Sequence, residues 1–151
     1  MIDLSKNAAK RFRVKWSDLE SRSCDCWKVD VVMFERVPML FIVHEHTLFT
    51  LVRRKSIFRH PLDIVEEITI SCPWYRNTME PTLGKNDSRK IIGSINEMKR
   101  VTWGLYSPEQ INSIEMSINQ TLFSYLSHGK GNYGNPFEAV ENYAIGKTPW
   151  L

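Results

Sequence analysis

Nothing in this chain is apolar for long enough to cross a membrane, which takes roughly 18 or more consecutive residues. Its first residues, Met1 to Lys6, hold no stretch of secretory-signal character. The expected compartment is the cytosol, with no membrane partner. Cysteine is scarce, with Cys24, Cys26 and Cys72 the only three. An odd number with two members one residue apart argues against a disulfide framework. Unpaired thiols acting as small buried apolar groups in a reducing compartment are expected instead. A phosphate-cradling loop is also missing. The glycine-rich segment Gly129 to Asn135 has neither a preceding strand nor a P-loop lysine-serine ending. There is no internal repeat and no low-complexity segment.

What is present suffices for one domain. The 151 residues are 42% hydrophobic and 25% charged, an ordinary globular balance that buries a sizeable core. The net charge of +3 is unevenly spread: residues 1–60 carry 12 basic and 7 acidic groups, and residues 61–151 carry 8 and 10. An excess in the first part can serve a nucleic acid or an acidic partner, although solvated faces produce similar asymmetry.

The segment Trp27 to Val52 is dense in β-branched and aromatic residues and predicts an antiparallel sheet. With Arg36-Val37-Pro38 as a loop, positions whose numbers sum to 74 pair. Trp27, Val29, Val31 and Met33 then share a core face with Met39, Phe41 and Val43. A single strand from Met39 to Val52 would be 14 residues long against a usual five or six. A turn is therefore placed at His44-Glu45-His46, followed by a third strand, Thr47 to Val52.

Around this meander the sequence predicts helices. Ser5 is a candidate N-cap for a short one running to Phe12. Pro61 opens another, with Leu62, Val65 and Ile68 on its apolar face, ending before Pro73. Asn77 to Asp87 reads as loop and Arg89 to Ile92 as a further strand. In the last third, Ser94-Ile95-Asn96-Glu97 has the capping-box pattern, and Ser107-Pro108-Glu109-Gln110 precedes the stripe Ile111, Ile114, Ile118, Leu122 and Tyr125. Asn135-Pro136-Phe137-Glu138 starts a short final helix. The fold class is α+β: an N-terminal antiparallel meander packed against helices, mainly on one face, with a helical C-terminal third.

Cys24, Cys26, His44 and His46 are residue types zinc accepts. The Cys-x-Cys gap is shorter than zinc's usual spacing, and a turn at the histidines would break their alignment. No metal and no cofactor are expected. The same neighbourhood, Cys26 with His44 and His46, is where an enzyme's site would lie. Cys72, ending an apolar helix face, reads as inert packing, and His60 with Asp63 or Glu66 with Glu67 as solvated faces rather than acid-base pairs. Three basic groups, Lys10 to Lys15, Arg53-Arg54-Lys55 with Arg59, and Lys85 to Lys90, have Trp16 and Phe58 nearby to stack on bases. No helix-turn-helix or RNP signature accompanies them. Trp27 and Trp103 suit core positions. Trp74 with Tyr75, Tyr133 and Asn135 in the glycine-rich loop, Trp150 near the C-terminus, and Arg53, Arg54 and Lys55 form the candidate partner or ligand surface.

Three stretches together carry a resemblance. These are Trp27 with Arg36, Met39-Leu40-Phe41 and Glu45-His46-Thr47-Leu48-Phe49; Arg89-Lys90-Ile91-Ile92-Gly93-Ser94-Ile95-Asn96; and Asn119-Gln120-Thr121-Leu122 leading to Asn135-Pro136-Phe137-Glu138. In that order the chain resembles a family of small uncharacterised bacterial proteins carried on mobile DNA, the integron-type gene cassette proteins. The resemblance implies a bacterial cytosolic α+β protein with an accessory role, and it brings no catalytic residues with it. The expected function is a non-enzymatic binding or interaction module, with a protein partner or self-association. An enzyme near Cys26, His44 and His46, or a nucleic-acid-binding protein using the basic groups, is the alternative.

Overall fold

The computed structural model describes residues 1–22, 25–76, 80–121, 123, 126 and 134–144. Five strands, β1 (Ile2–Leu4), β2 (Trp27–Phe34), β3 (Val37–His44), β4 (Thr50–Arg54) and β5 (Leu83–Lys85), form one sheet in the order β4-β3-β2-β1-β5. The predicted meander is its β2-β3-β4 half, whereas β1 runs parallel to both β2 and β5. The short N-terminal piece is thus an inner strand, and the stretch read as loop before Asp87 contains β5.

Helices cover both faces, not mainly one. On the first face α1 (Lys6–Arg11) and α2 (Ile64–Ser71) bury Ala8, Ala9, Ile64 and Ile68 against Leu4, Val29, Val31, Leu40 and Ile42. On the second, α3 (Arg89–Thr102), α4 (Ile111–Asn119) and α5 (Pro136–Ala144) pack Ile91, Ile95, Met98, Ile114, Ile118 and Ala139 on Val32, Met39, Phe41, Val43 and Val52.

This double cover explains why the predicted register is wrong. The β2-β3 connection is the two-residue turn Glu35-Arg36, both at positive φ (48° and 69°), a geometry whose twist suits a hairpin. Partners such as Trp27↔His44 and Val31↔Leu40 therefore sum to 71, pairing odd with even. Apolar pattern pins register only where one face is wet, and here both are buried. Leu40, Ile42 and His44 consequently lie with Trp27, while Met39, Phe41 and Val43 lie with Lys28 and Asp30.

The second face also carries a polar strip. Asp3, fully buried in β1, sits beside its register partner Lys28, whose Nζ is 2.5 Å from Asp3 Oδ2 and only 2% exposed. Arg22 Nε reaches Asp3 Oδ1 at 2.8 Å. On β5 the position facing Asp3 is Gly84, where an added Cβ would lie 2.3 Å from the Asp3 carboxylate and 2.5 Å from Arg22 Nε. Two residues further along β2, Asp30 accepts from Ser5 Oγ (2.6 Å) and from Lys99 of α3 (2.8 Å).

Both sheet edges are occupied by other parts of the chain. At β4, Asn119 of α4 acts as a surrogate strand: its amide accepts from Thr50 N and donates to Thr50 O, each at 2.9 Å, and Glu115 accepts from Val52 N at 2.7 Å. At β5, Lys85 N donates to Glu20 O at 2.8 Å and Ser21 forms a bridge to Lys85.

Cys26 is disulfide-bonded, which corrects the expectation that the thiols are unpaired and removes the support it lent to a reducing compartment. Cys72 is a free, buried thiol whose pKa burial pushes up to about 12. Iodoacetamide at pH 8 should leave Cys72 unmodified in the native protein and label it once denaturant is added, as peptide mass spectrometry would show. Labelling of the native protein at the denatured rate would contradict this burial.

Candidate functional site

Two places bring chemistry-bearing residues together. The first surrounds the end of β3. His44 is its last residue, and the chain then turns through Glu45, His46 and Thr47 to Leu48 at φ 58°, closed by His44 N to Phe49 O at 2.9 Å. The turn thus begins one residue later than predicted and β4 starts at Thr50, not Thr47. His44 keeps its strand orientation and enters the first face completely buried, ringed by Trp27, Trp74, Tyr75 and Tyr143 with centroids 5.0–5.2 Å away.

Its hydrogen bonds define its state. Nε2 lies 2.5 Å from Asp25 Oδ1 and Nδ1 lies 2.8 Å from Thr47 Oγ1. Burial lowers the His44 pKa below 6.5 against the opposing pull of Asp25, so the ring is neutral near pH 7. A neutral ring has one N–H, which goes to the carboxylate, leaving Nδ1 to accept from the Thr47 hydroxyl. Asp25 also accepts from the Tyr143 hydroxyl, while the Asp25 backbone carbonyl accepts from Tyr75 Oη at 2.7 Å. Burial pushes the Asp25 carboxyl up, but the bonds from His44 and Tyr143 outweigh it and hold the pKa below 3.8. Burial and the hydrogen bond to Asp25 raise that of Tyr143.

Of the predicted neighbourhood the two histidines come together, with His46 Nε2 3.8 Å from the same Asp25 oxygen, while Cys26 is taken up in a disulfide. Asp25 and Tyr143, which hold it together, were not singled out in the sequence; the acid between two cysteines was the available signal for Asp25. With both ring nitrogens engaged and no exposure, His44 is in a position to orient Asp25 and clamp α5 rather than exchange protons with a substrate. Trp74 and Tyr75 turn inward onto this cluster instead of forming an exposed anchor, Tyr75 being buried. His60 and Asp63 form a reciprocal N-cap for the turn before α2, with His60 N to Asp63 Oδ2 at 2.9 Å and Leu62 N to His60 Nδ1 at 3.1 Å.

The second place is the outer side of α1. Ser5 caps the helix as predicted, accepting from Ala8 N at 3.1 Å. Burial of Ala8 and Ala9 turns Asn7, Lys10 and Arg11 outward, and Arg13, at φ 58°, follows them. Between α1 and β2 runs a groove of about 430 Å³ lined by Asn7, Lys10, Arg11, Arg13, Val31 and Met33, with no carboxylate among them.

One cation from each of the other two basic groups lies against an aromatic ring next to α1. Lys55 Nζ lies 4.6 Å from the centroid of Phe12, just past α1, and Lys85 and Lys6 lie 4.2 and 4.8 Å from that of Trp16. Among the described residues Lys6, Lys10, Arg11, Arg13, Lys55 and Lys85 form no ion pair, while Lys15 has Asp18 at 4.0 Å. Convergence is partial. Arg53 is neutralised by Glu67 (2.6 Å) and Glu115 (2.5 Å), Arg54 faces Glu109 (3.5 Å), and Arg89 and Lys90 open α3, which packs on the opposite face. Of the remaining partner-surface candidates, Asn135 caps α5, accepting from Glu138 N at 2.9 Å, and Tyr133 and Trp150 lie outside the described residues, as does Cys24.

Fold and surface together define an α+β protein with a mixed sheet between two helical layers and a basic groove on one of them. Compared with family models, curated proteins and solved structures, the chain matches none.

Proposed function

We propose that this protein is a non-enzymatic binding module that docks nucleic acid on the outer side of α1. The observation that carries the reading is the gathering beside α1 of six cations that, among the described residues, have no ion-pair partner; they come from three separated segments, and Lys10, Arg11 and Arg13 line the groove. A phosphate backbone meeting such a surface releases condensed counterions, which favours association and makes it steeply salt-dependent. The engaged ring nitrogens of His44 weigh against the enzymatic alternative. An accessory protein encoded on mobile DNA would suit this activity.

Retention of the purified protein by a generic DNA oligonucleotide tests it. With about six phosphate contacts, affinity should fall on the order of a thousandfold between 50 and 200 mM salt. The triple variant Lys10→Glu, Arg11→Glu, Arg13→Glu should lose binding at the lower salt and reduce the salt slope by about three. All three positions are exposed, so its unfolding transition should be little changed. Equal retention of the variant and the native protein would remove the proposal.

A further inference from the structure

Resting on that reading of α1, we infer that the groove is a pocket for one unpaired nucleotide, so that the ligand is single-stranded nucleic acid. The groove, half open to solvent, has a volume of about 430 Å³, which falls in the range of small-ligand sites, roughly 300–1,000 Å³, and has room for one base. Its chemistry is layered. Val31 and Met33 form an apolar floor, and Met33 is 44% exposed although it stands on the core-facing side of β2 with Trp27 and Val29. A polarisable thioether at that position suits the face or edge of an aromatic ring.

Above the floor, the Asn7 amide offers a donor and an acceptor side by side, the pattern that reads a base edge. At the rim, Lys10, Arg11 and Arg13 supply charge for the flanking phosphates, and Arg11 Nη2 is held 3.6 Å from Met33 Sδ, linking rim to floor. Lys55 beside Phe12, and Lys6 and Lys85 beside Trp16, continue the charge beyond the groove for neighbouring phosphates. A duplex offers phosphates to the rim but keeps its bases stacked. Filling the floor would require flipping a base out at a cost of a few kcal/mol, whereas a single strand presents its bases freely.

Fluorescence anisotropy with the full chain tests this using three probes: a labelled 12-nucleotide single strand of mixed sequence, its duplex, and polyphosphate of matched charge as competitor. The single strand should bind at least about tenfold more tightly than the duplex. Asn7→Ala and Met33→Ser, both at exposed positions, should each weaken single-strand binding by about fivefold or more while leaving duplex and polyphosphate binding unchanged. Thermal unfolding of both variants confirms that they fold. Equal affinity for all three probes, insensitive to both variants, would overturn the nucleotide pocket and leave α1 as a general polyanion surface. Preference for the duplex would also overturn it, and failure to bind any probe would overturn both readings.

Discussion

Replacing Asp3 by alanine should cost about 3–5 kcal/mol, because it strands the Lys28 ammonium inside the protein. Lys28 is 2% exposed, and its next carboxylate oxygen, on Glu45, is 4.0 Å away. Domains of this size are stable by only about 5–15 kcal/mol, so the variant should be unfolded or nearly so at low urea. Lys28→Met should cost less, since Asp3 keeps its 2.8 Å contact with Arg22. The double variant Asp3→Leu, Lys28→Met should recover most of the loss, as buried pairs replaced whole by apolar groups usually do. Urea denaturation of the three proteins checks the ranking. A loss below about 1 kcal/mol for Asp3→Ala would mean that water reaches Lys28 in solution.

The second large effect is expected at His44. His44→Ala should destabilise by about 2–4 kcal/mol at pH 7, because it empties a site among four aromatic rings and removes a hydrogen bond to a charged acceptor. The pH dependence has a defined sign. The folded-state pKa of His44 lies below 6.5, so as pH falls through 6.5 the unfolded chain takes up a proton that the folded protein refuses, and stability declines. That decline should end once pH falls below the folded pKa. Asp25, with its folded pKa below 3.8, contributes stability that is present above 3.8 and lost as pH falls through the depressed value. Stability should therefore start to drop near pH 6.5 and drop again below about 4. In His44→Ala the first phase should be reduced. A native profile flat from pH 7 to 5 would show that His44 titrates in the folded protein as it does in the unfolded chain, and stability rising over that range as pH falls would show that it holds its proton when folded.

Parts of this molecule were legible in the sequence because local chemistry decided them. Ser5 and Asn135 cap helices as read, since a short oxygen-bearing side chain before a helix has few better uses. The stripe Ile111, Ile114 and Ile118 faces the core as its period demands. Competing local patterns misled elsewhere. Ser94 to Glu97 looks like a helix start but lies inside α3, which Ser88 caps; Ser94 instead donates to Lys90 O at 3.0 Å, and the strand predicted at Arg89 to Ile92 is the helix's first turn. Helix α4 likewise begins at Ile111, after a turn at Pro108-Glu109. Trp103, read as core, is 80% exposed because α3 ends just before it and Gly104 at φ 68° turns the chain away.

At the two candidate sites the obstacle was distance along the chain. Tyr143 meets Asp25 from 118 residues away, and Lys85 meets Trp16 only because β5 returns beside β1. No window of residues carries such information. The basic groups themselves were visible, but which cations would be neutralised depended on Glu67, Glu109 and Glu115 arriving from α2, the turn before α4 and α4 itself.

The side chains and loop that occupy the two sheet edges also limit how copies of this protein can assemble. A chain whose Thr50 and Val52 backbone groups are already answered by Asn119 and Glu115 offers no template there for a neighbour's strand, and Glu20 with Ser21 closes the far side at Lys85. Runaway strand-to-strand stacking, the route to fibrils, is blocked at both margins. Edge-to-edge pairing is thereby disfavoured as a way of joining two copies, leaving the sheet of each its own closed unit.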